Sequence, residues 1–414
     1  MTSTAEVAAF AADVSYDGLP ETTREAAKRR VLDAVGVALG SRDDERTAPV
    51  RRAVPRVTTD GCRLWGTTDA ATASDAANHN ATATAVGPGG VYLSPTLSAA
   101  YGPLAAVLAV AESRGVTGEE TLAALAATQE IHGELALNAP LDEFHPASHG
   151  AIAGAAGVGR VLGLDAERIE RAVGLAAGQA LLAVGDDEYA ALAVGASAAT
   201  AAEAGLLAEA GATSPDTLAG PGGWHDLVGP FDLDFDPGCE RVRDAAVLPY
   251  DVHPYAQTAI AAAVDLAADA TLDPADIDTA TVETFADAVP VVAPEAIAAA
   301  LVDRELYRQP TARADLGPVA EAVETAADDD LTDRAAHGEL PARVTVKLRD
   351  GAVHEVEHGR FDGHPAQPAP WGTVEEKFHA LAGDRYDADR RADIVDTVRS
   401  LEAESATELA LLLD

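Results

Sequence analysis

Two histidines, His145 and His149, lie four residues apart in the stretch EFHPASHGAIAGAAGVGR (143–160). Imidazoles at this spacing on a helix face the same direction, so the pair could share protons as acid and base or ligate a metal ion. Pro146 indicates that His145 lies on or before the first helical turn, and only two acidic residues directly precede it. A polar helix start without chemistry is the third alternative, and we expect no metal.

The glycines of the same stretch predict close helix packing. Gly154, Gly157, Gly159 and Gly163 do not follow the order G-x-G-x-x-G, and no predicted strand precedes them. A dinucleotide-binding loop needs both features, so we do not expect one here. Ser148 is expected to cap the helix or make a small contact, because adjacent residues such as Ser148 and His149 do not face each other on a helix.

The helices that must position these groups follow from apolar periodicity and glycine stops. Alanine dominates them, which permits close helix packing, and we expect helices over residues 21–40, 97–114, 118–137, 150–163, 165–183, 190–211, 256–270 and within 373–413. Between the helix at 256–270 and the helical region 373–413, we expect a strand that starts at Ile277 and helices around 295–307 and 313–325. A hairpin with an Arg-Asp-Gly turn is expected over 342–357.

The expected fold class is therefore mainly α with a smaller α+β domain. A large all-helical domain (1–246 and 371–414) is discontinuous, and the smaller α+β lid domain (247–370) is inserted into it. A chain of 414 residues is long enough for two such cores.

The charge excludes one class of partner. The chain has 68 acidic and 29 basic residues and a net charge of −39, whereas nucleic-acid binding needs cations that replace counterions on phosphate. The acid is spread along the chain, which we interpret as adaptation to a salt-rich solvent. Only three lysines occur, Lys28, Lys347 and Lys377.

Compartment and membrane association follow from what the sequence lacks. The start MTSTAEVAAF has no basic region followed by an apolar block, and the longest uncharged stretch (76–111) is interrupted by prolines and polar residues. We expect a cytoplasmic protein without a membrane partner. Cys62 and Cys239 are too isolated for a disulfide framework.

Several stretches together resemble the MmgE/PrpD family, which includes 2-methylcitrate dehydratase and cis-aconitate decarboxylase. They follow the family's order: LPETTREAAKRRVLDAVGVALGS, with Asp33 in an Asp-x-x-Gly setting, FHPASHGAIAGAAGVGRVLGLDAERIERAVGLAAGQA, LAGPGGWHDLVG, LPYDVHPYAQTAIAAAVDLAADATLDPADIDTATVET and FDGHPAQPAPWGTVEEKFHALAG. The resemblance implies a helical domain, an α+β lid, a homodimer and cofactor-independent acid/base chemistry on di- and tricarboxylates held by cations.

The chain departs from this family at most of its functional positions. Asn78 matches the family's asparagine, but the aspartates that follow are absent, and the later histidine falls near Ser94–Ser98. One family lysine falls near Tyr189–Ala191 and the other at Leu248; no lysine occurs between 29 and 346. His145 matches the family's Phe-His-Pro histidine.

Two functions are compatible with this pattern. The first is a lyase rebuilt for another small carboxylic acid, with His145 as the acid/base group, assisted by His253, Tyr255 and either Asp187 or Glu188; substrate contacts come from Asn78, Gln257, Arg304 and Arg308, with Arg313 as a further clamp. The second is a catalytically inactive homologue with a structural or regulatory role, including partnership with an active paralogue.

Overall fold

The computed structural model describes residues 1–57, 61–139, 141–185, 187–269, 272–304, 306–307, 313 and 315–414, without the side chains of residues 187, 188 and 269. The chain divides into two compact units. The first comprises Met1–Ala246 and Val374–Asp414, and the second comprises Val247–Thr373.

The first unit is built mainly from helices. They are α1 (Thr4–Asp13), α2 (Glu21–Ser41), α3 (Thr47–Ala53), α4 (Ala73–Val86), α5 (Gly102–Arg114), α6 (Gly118–Asn138), α7 (Ala147–Val161), α8 (Ala166–Ala177), α9 (Asp187–Glu209) and α10 (Trp224–Leu227). The C-terminal helices are α15 (Trp371–Ala382), which begins in the last residues of the second unit, α16 (Ala388–Arg399) and α17 (Ala406–Leu411). Side-chain caps begin α6 and α8, where Thr117 and Asp165 accept backbone N–H groups.

Helix α7 lies at the centre of this unit and contacts α5, α6, α8 and α9. Its small residues make that position possible. A methyl group at Gly157 would lie 1.8 Å from the Thr128 hydroxyl of α6, and one at Gly154 would lie 2.8 Å from Ala201 of α9. The glycines of this stretch therefore serve helix packing, because any side chain there would overlap a neighbouring helix.

Short strands also occur in the first unit, which we had predicted to be all-helical. β1 (Cys62–Arg63) pairs with β2 (Ala70–Ala71), and the second sheet has the order β4-β3-β5. Its strands are β3 (Val91–Tyr92), β4 (Ser98–Ala99) and β5 (Ala245–Ala246). The helix predicted from residue 97 accordingly begins only at Gly102. Strands of two residues carry no periodicity, so the sequence pattern could not indicate them.

The second unit is an α+β structure. It contains α11 (Gln257–Asp269), β6 (Ile277–Thr284), α12 (Pro294–Asp303), α13 (Gly317–Ala320), β7 (Val323–Ala327), α14 (Asp329–Ala335), β8 (Ala342–Leu348) and β9 (Val353–His358). The sheet order is β7-β6-β8-β9, with β6 and β7 parallel and the other pairs antiparallel. Val282, Val344 and Val356 lie side by side across three strands, and α11 packs on β8 and β9.

Among the described residues of 313–325, the predicted helix is present only as α13 (Gly317–Ala320). Residues Val323–Ala327 form β7, which pairs in parallel with β6 from Ala280 to Thr284. Alanine and glutamate favour helix, but the neighbouring strand offers backbone hydrogen bonds that override this weak preference. The expected fold class, mainly α with a smaller α+β part, is confirmed.

Helix α9 is the one described helix that is long and apolar enough to cross a membrane by length and composition, over Tyr189–Glu209. Of its apolar 18-residue window, 56% is buried inside the protein. Core helices of folded proteins have the same length and composition, and α9 packs against α4 and α7.

Candidate functional site

The segment Phe144–Ser148 leads into α7 and is tied to the residues before α9. The backbone N–H of His145 donates to the Leu182 carbonyl at 2.8 Å, and the Leu182 N–H donates to the Ser148 hydroxyl at 3.1 Å. Phe144 and Ala183 complete the pairing through a β-bridge. The start of α7 and the loop preceding α9 therefore form one hydrogen-bonded wall.

His145 is half-buried on this wall and carries a defined tautomer. Its Nδ1 accepts the Ala147 N–H at 3.1 Å, so the proton of the neutral ring resides on Nε2. Burial lowers the pKa of His145, which favours the neutral form at neutral pH. The side chain is thus arranged to donate a hydrogen bond from Nε2.

His149 occupies a different environment. Only 3% of the residue is exposed, and its Nε2 donates to the Ala139 carbonyl at 2.8 Å. Burial lowers the pKa of His149 to about 4, and that of the nearby His132 to about 3. His149 therefore stays neutral in the core. Within the described residues, no three His, Cys, Asp or Glu side chains are placed to hold a metal ion.

The other predicted residues of this unit lie around α9. Asn78 on α4 is half-buried, and a methyl group at Gly195 of α9 would lie 2.5 Å from its Oδ1. Asp187 is the first residue of α9, but its side chain and that of Glu188 lie outside the described residues. Exposed apolar side chains stand near that helix start: Val184 (62% exposed), Tyr189 (37%) and Leu192 (37%).

His253 and Tyr255 come together in the second unit. The Nδ1 of His253 accepts the Tyr255 N–H at 3.2 Å, so its neutral ring also carries the proton on Nε2. The two rings meet edge to face at 5.1 Å, and Tyr255 makes a similar contact with Phe285 at 5.4 Å. Burial raises the pKa of Tyr255, which keeps the phenol protonated.

Gln257 is fully buried, and its amide is engaged by backbone groups. Its Oε1 accepts the Tyr250 N–H at 3.1 Å, and its Nε2 donates to the carbonyls of Tyr250 and Val252, both at 2.9 Å. In this structure the side chain shapes the turn before α11. Gln257 is a predicted substrate contact, and contact with a substrate would require it to exchange one of these bonds.

The predicted arginine clamps differ in placement. Arg304 ends α12 in the left-handed conformation (φ 59°) and is exposed. Arg308 lies outside the described residues. The Arg313 guanidinium is exposed and pairs with Asp303 at 2.9 Å and Asp315 at 2.7 Å. A carboxylate substrate would have to displace both acids to bind Arg313.

All three lysines of the chain are paired with carboxylates. Lys28 contacts Glu25 and Glu402, Lys347 contacts Asp278, and Lys377 contacts Asp33 at 2.6 Å. The Lys377–Asp33 pair is 1% exposed on each side and was missed by sequence reasoning. The rarity of lysine and the Asp-x-x-Gly setting of Asp33 were the available signals.

A cleft of about 440 Å³ was also missed. It is lined by Glu130, Asp234, Phe235, Asp236, Pro237, Glu240, Arg241 and Asp244. Glu130 is fully buried and accepts the N–H groups of Asp236 (2.8 Å) and Arg241 (2.9 Å). Burial raises the pKa of Glu130 to about 7.

The chain thus folds as a helical unit that is interrupted by an α+β unit, and a histidine lies at the start of its central helix. Two family models match the chain, the MmgE/PrpD N-terminal domain over residues 5–234 and the MmgE/PrpD C-terminal domain over residues 250–403. The chain belongs to the MmgE/PrpD family. No significant match is found among curated proteins.

Proposed function

We propose that this protein is a cofactor-independent lyase that cleaves a carbon–oxygen or carbon–carbon bond of a small carboxylic acid. The observation that carries the proposal is the neutral His145 ring, which keeps its Nε2 proton available on a half-exposed wall. Family membership supplies the reaction class. The nucleic-acid class of partner does not fit a chain of net charge −39.

The tautomer of His145 favours a donor role. In an elimination of water, a base removes the proton next to the carboxylate, the carbon–oxygen bond breaks, and the leaving hydroxyl takes up a proton. His145 donates a hydrogen bond from Nε2 to that hydroxyl, and the hydroxyl takes up the proton that the base has removed from the carbon. Asp187, at the start of α9 in the same unit, remains the proposed base.

The substrate is less anionic than a tricarboxylate. All three lysines are engaged with carboxylates, so no lysine ammonium is free to hold a substrate carboxylate. The side chains exposed beside the His145 wall include Val184, Tyr189 and Leu192, which contact carbon chains better than carboxylates. A hydroxy monocarboxylic acid with an apolar portion fits these surroundings.

The test is a lyase assay at high KCl with 3-hydroxy monocarboxylic acids and with citrate-, methylcitrate- and aconitate-like acids. His145→Ala is expected to lower kcat/KM by roughly 100-fold or more, the usual cost of removing one hydrogen-bond donor to the transition state. His337→Gln, which changes an exposed histidine in the turn after α14, is the matched control and should retain activity. Lack of turnover of every acid by the unmodified protein would refute the lyase proposal.

A catalytically inactive homologue is the second candidate. This candidate is favoured by the replacement of both family lysines. One falls near Ala190, where no lysine occurs, and the other falls at the buried Leu248. Such a protein would act through a partner, either a second copy or an active paralogue. Co-purification from cells that produce the protein tests the paralogue version, because recovery of the homodimer alone would remove it.

A further inference from the structure

A buried ion pair joins the beginning of the first unit to its end. Asp33 lies on α2 and Lys377 on α15, and Oδ1 of the carboxylate lies 2.6 Å from the ammonium nitrogen. The surrounding helices are shaped for this contact. A methyl group at Gly36 would lie 3.2 Å from Phe378, and one at Gly40 would lie 2.9 Å from Leu381. Asp33 and the two glycines, Gly36 and Gly40, thus all face α15.

The same two groups hold both ends of segment 88–101. Lys377 donates to the Pro88 carbonyl at 2.6 Å, and the Tyr101 hydroxyl donates to Oδ2 of Asp33 at 2.6 Å. Burial and the adjacent Asp33 carboxylate raise the pKa of Tyr101 well above its ordinary value, so the phenol remains a donor. The segment contains β3 and β4, including Ser98, near which the family's later histidine falls.

Arg30, one turn before Asp33 on α2, holds the place where the chain leaves the first unit. Its guanidinium donates to the carbonyls of Val242 and Ala245. Ala246 pairs with Val91 of β3, and the next residue, Val247, begins the second unit. The chain returns to the first unit at Val374, one turn before Lys377.

We infer that Arg30 and Asp33 on α2, together with Tyr101 and Lys377, form a single anchor cluster that fixes segment 88–101 and both points where the first unit connects to the second. The inference is independent of the proposed lyase activity. Arg30 holds the outgoing connection and Lys377 the returning one, while Asp33 couples Lys377 to Tyr101. Lys377 and Tyr101 are positioning residues for the segment that replaces family catalytic sequence.

Lys28, which lies on α2, provides a matched comparison for Lys377. It is also buried, pairs with Glu25 and Glu402, and donates to the Arg399 carbonyl at 2.9 Å. Lys28 therefore ties α2 to the C-terminal region, but its partners lie outside segment 88–101. A general loss of C-terminal docking should affect both lysine variants alike.

The experiment is amide hydrogen exchange, read peptide by peptide, on the full chain and its variants. Lys377→Met should raise exchange about tenfold or more in 88–101, 242–246 and 374–382, with much smaller changes in α7. Lys28→Met should raise exchange near 399–403 and leave 88–101 unchanged. Equal changes in 88–101 for both variants, or no selective change in Lys377→Met, would overturn the anchor.

Two further variants keep the test decisive if Lys377→Met does not fold. Tyr101→Phe removes one hydroxyl without changing the ring, and it should raise exchange selectively at residues 98–104. The double variant Asp33→Asn with Lys377→Met should melt closer to the unmodified protein than Lys377→Met alone, because it removes an uncompensated buried charge. Strictly additive losses in the double variant would contradict coupling through Asp33.

Discussion

At the scale of single residues, the histidines of this protein differ mainly in how their ring nitrogens are used. His145 and His253 each accept the backbone N–H two residues ahead through Nδ1, which places the proton of the neutral ring on Nε2. His149 instead donates its Nε2–H to the Ala139 carbonyl inside the core. One local turn geometry therefore makes a histidine a donor, and a helix position four residues later makes another a structural group.

Acid should destabilise the protein through the buried histidines. The pKa of His149 is about 4 in the folded protein, against about 6.5 when unfolded, because burial disfavours the charged ring. The unfolded chain thus binds more protons between these values, and stability is lost as pH falls through this window. His149→Leu should reduce the stability lost between pH 7 and pH 4.5 by a few kcal/mol, measured by urea unfolding.

The quantity to compare is the stability lost between pH 7 and pH 4.5 in His149→Leu and in the unmodified protein. Glu130, with a folded pKa of about 7, acts in the opposite direction, since its protonation favours the folded state and that stability is lost as pH rises. This contribution is present in both proteins and cancels. An unchanged acid dependence in His149→Leu would show that its ring does not set the acid limit.

At the scale of elements, the glycines of α7 should be sensitive to a single methyl group. Gly157→Ala would place a carbon 1.8 Å from the Thr128 hydroxyl and 3.2 Å from the Ala124 carbonyl of α6. Overpacking of this kind costs about 1–3 kcal/mol. Thermal unfolding should show a lower Tm.

Gly372→Ala is the matched control on α15. Nothing lies within 4 Å of a methyl group at that position, so the loss of glycine's backbone freedom should leave stability unchanged or raise it slightly. If both alanine variants melt at the same temperature, close contact between α6 and α7 does not limit the stability of the unit.

Long amphipathic or alanine-rich helices could be predicted from sequence, because periodicity, caps and glycine stops act within a few residues. The prediction of a hairpin at 342–357 corresponds to β8 and β9 for the same reason. β7 could not be predicted, since Val323–Ala327 becomes a strand only beside β6. At the candidate site, the sequence indicated His145, but the Lys377–Asp33 contact depends on tertiary folding that no local pattern encodes.

At the scale of the whole molecule, the net charge of −39 should make stability depend on salt. The Debye length falls from about 10 Å at 0.1 M to about 3 Å at 1 M salt, which screens repulsion between surface carboxylates. The Tm should therefore rise with KCl over this range. Sucrose at matched osmolality is the control, and a Tm that follows sucrose and KCl equally would argue against charge screening.

The anchor cluster also imposes an order in time. Lys377 follows Asp33 by more than 340 residues, so a ribosome that adds 5–20 residues per second completes α2 roughly 20–70 s before it makes the counter-ion of Asp33. During that interval the second unit is synthesised entirely. The first unit can therefore be completed only after the second unit has been synthesised. Until α15 has left the ribosome, the Asp33 carboxylate of the nascent chain lacks its lysine partner.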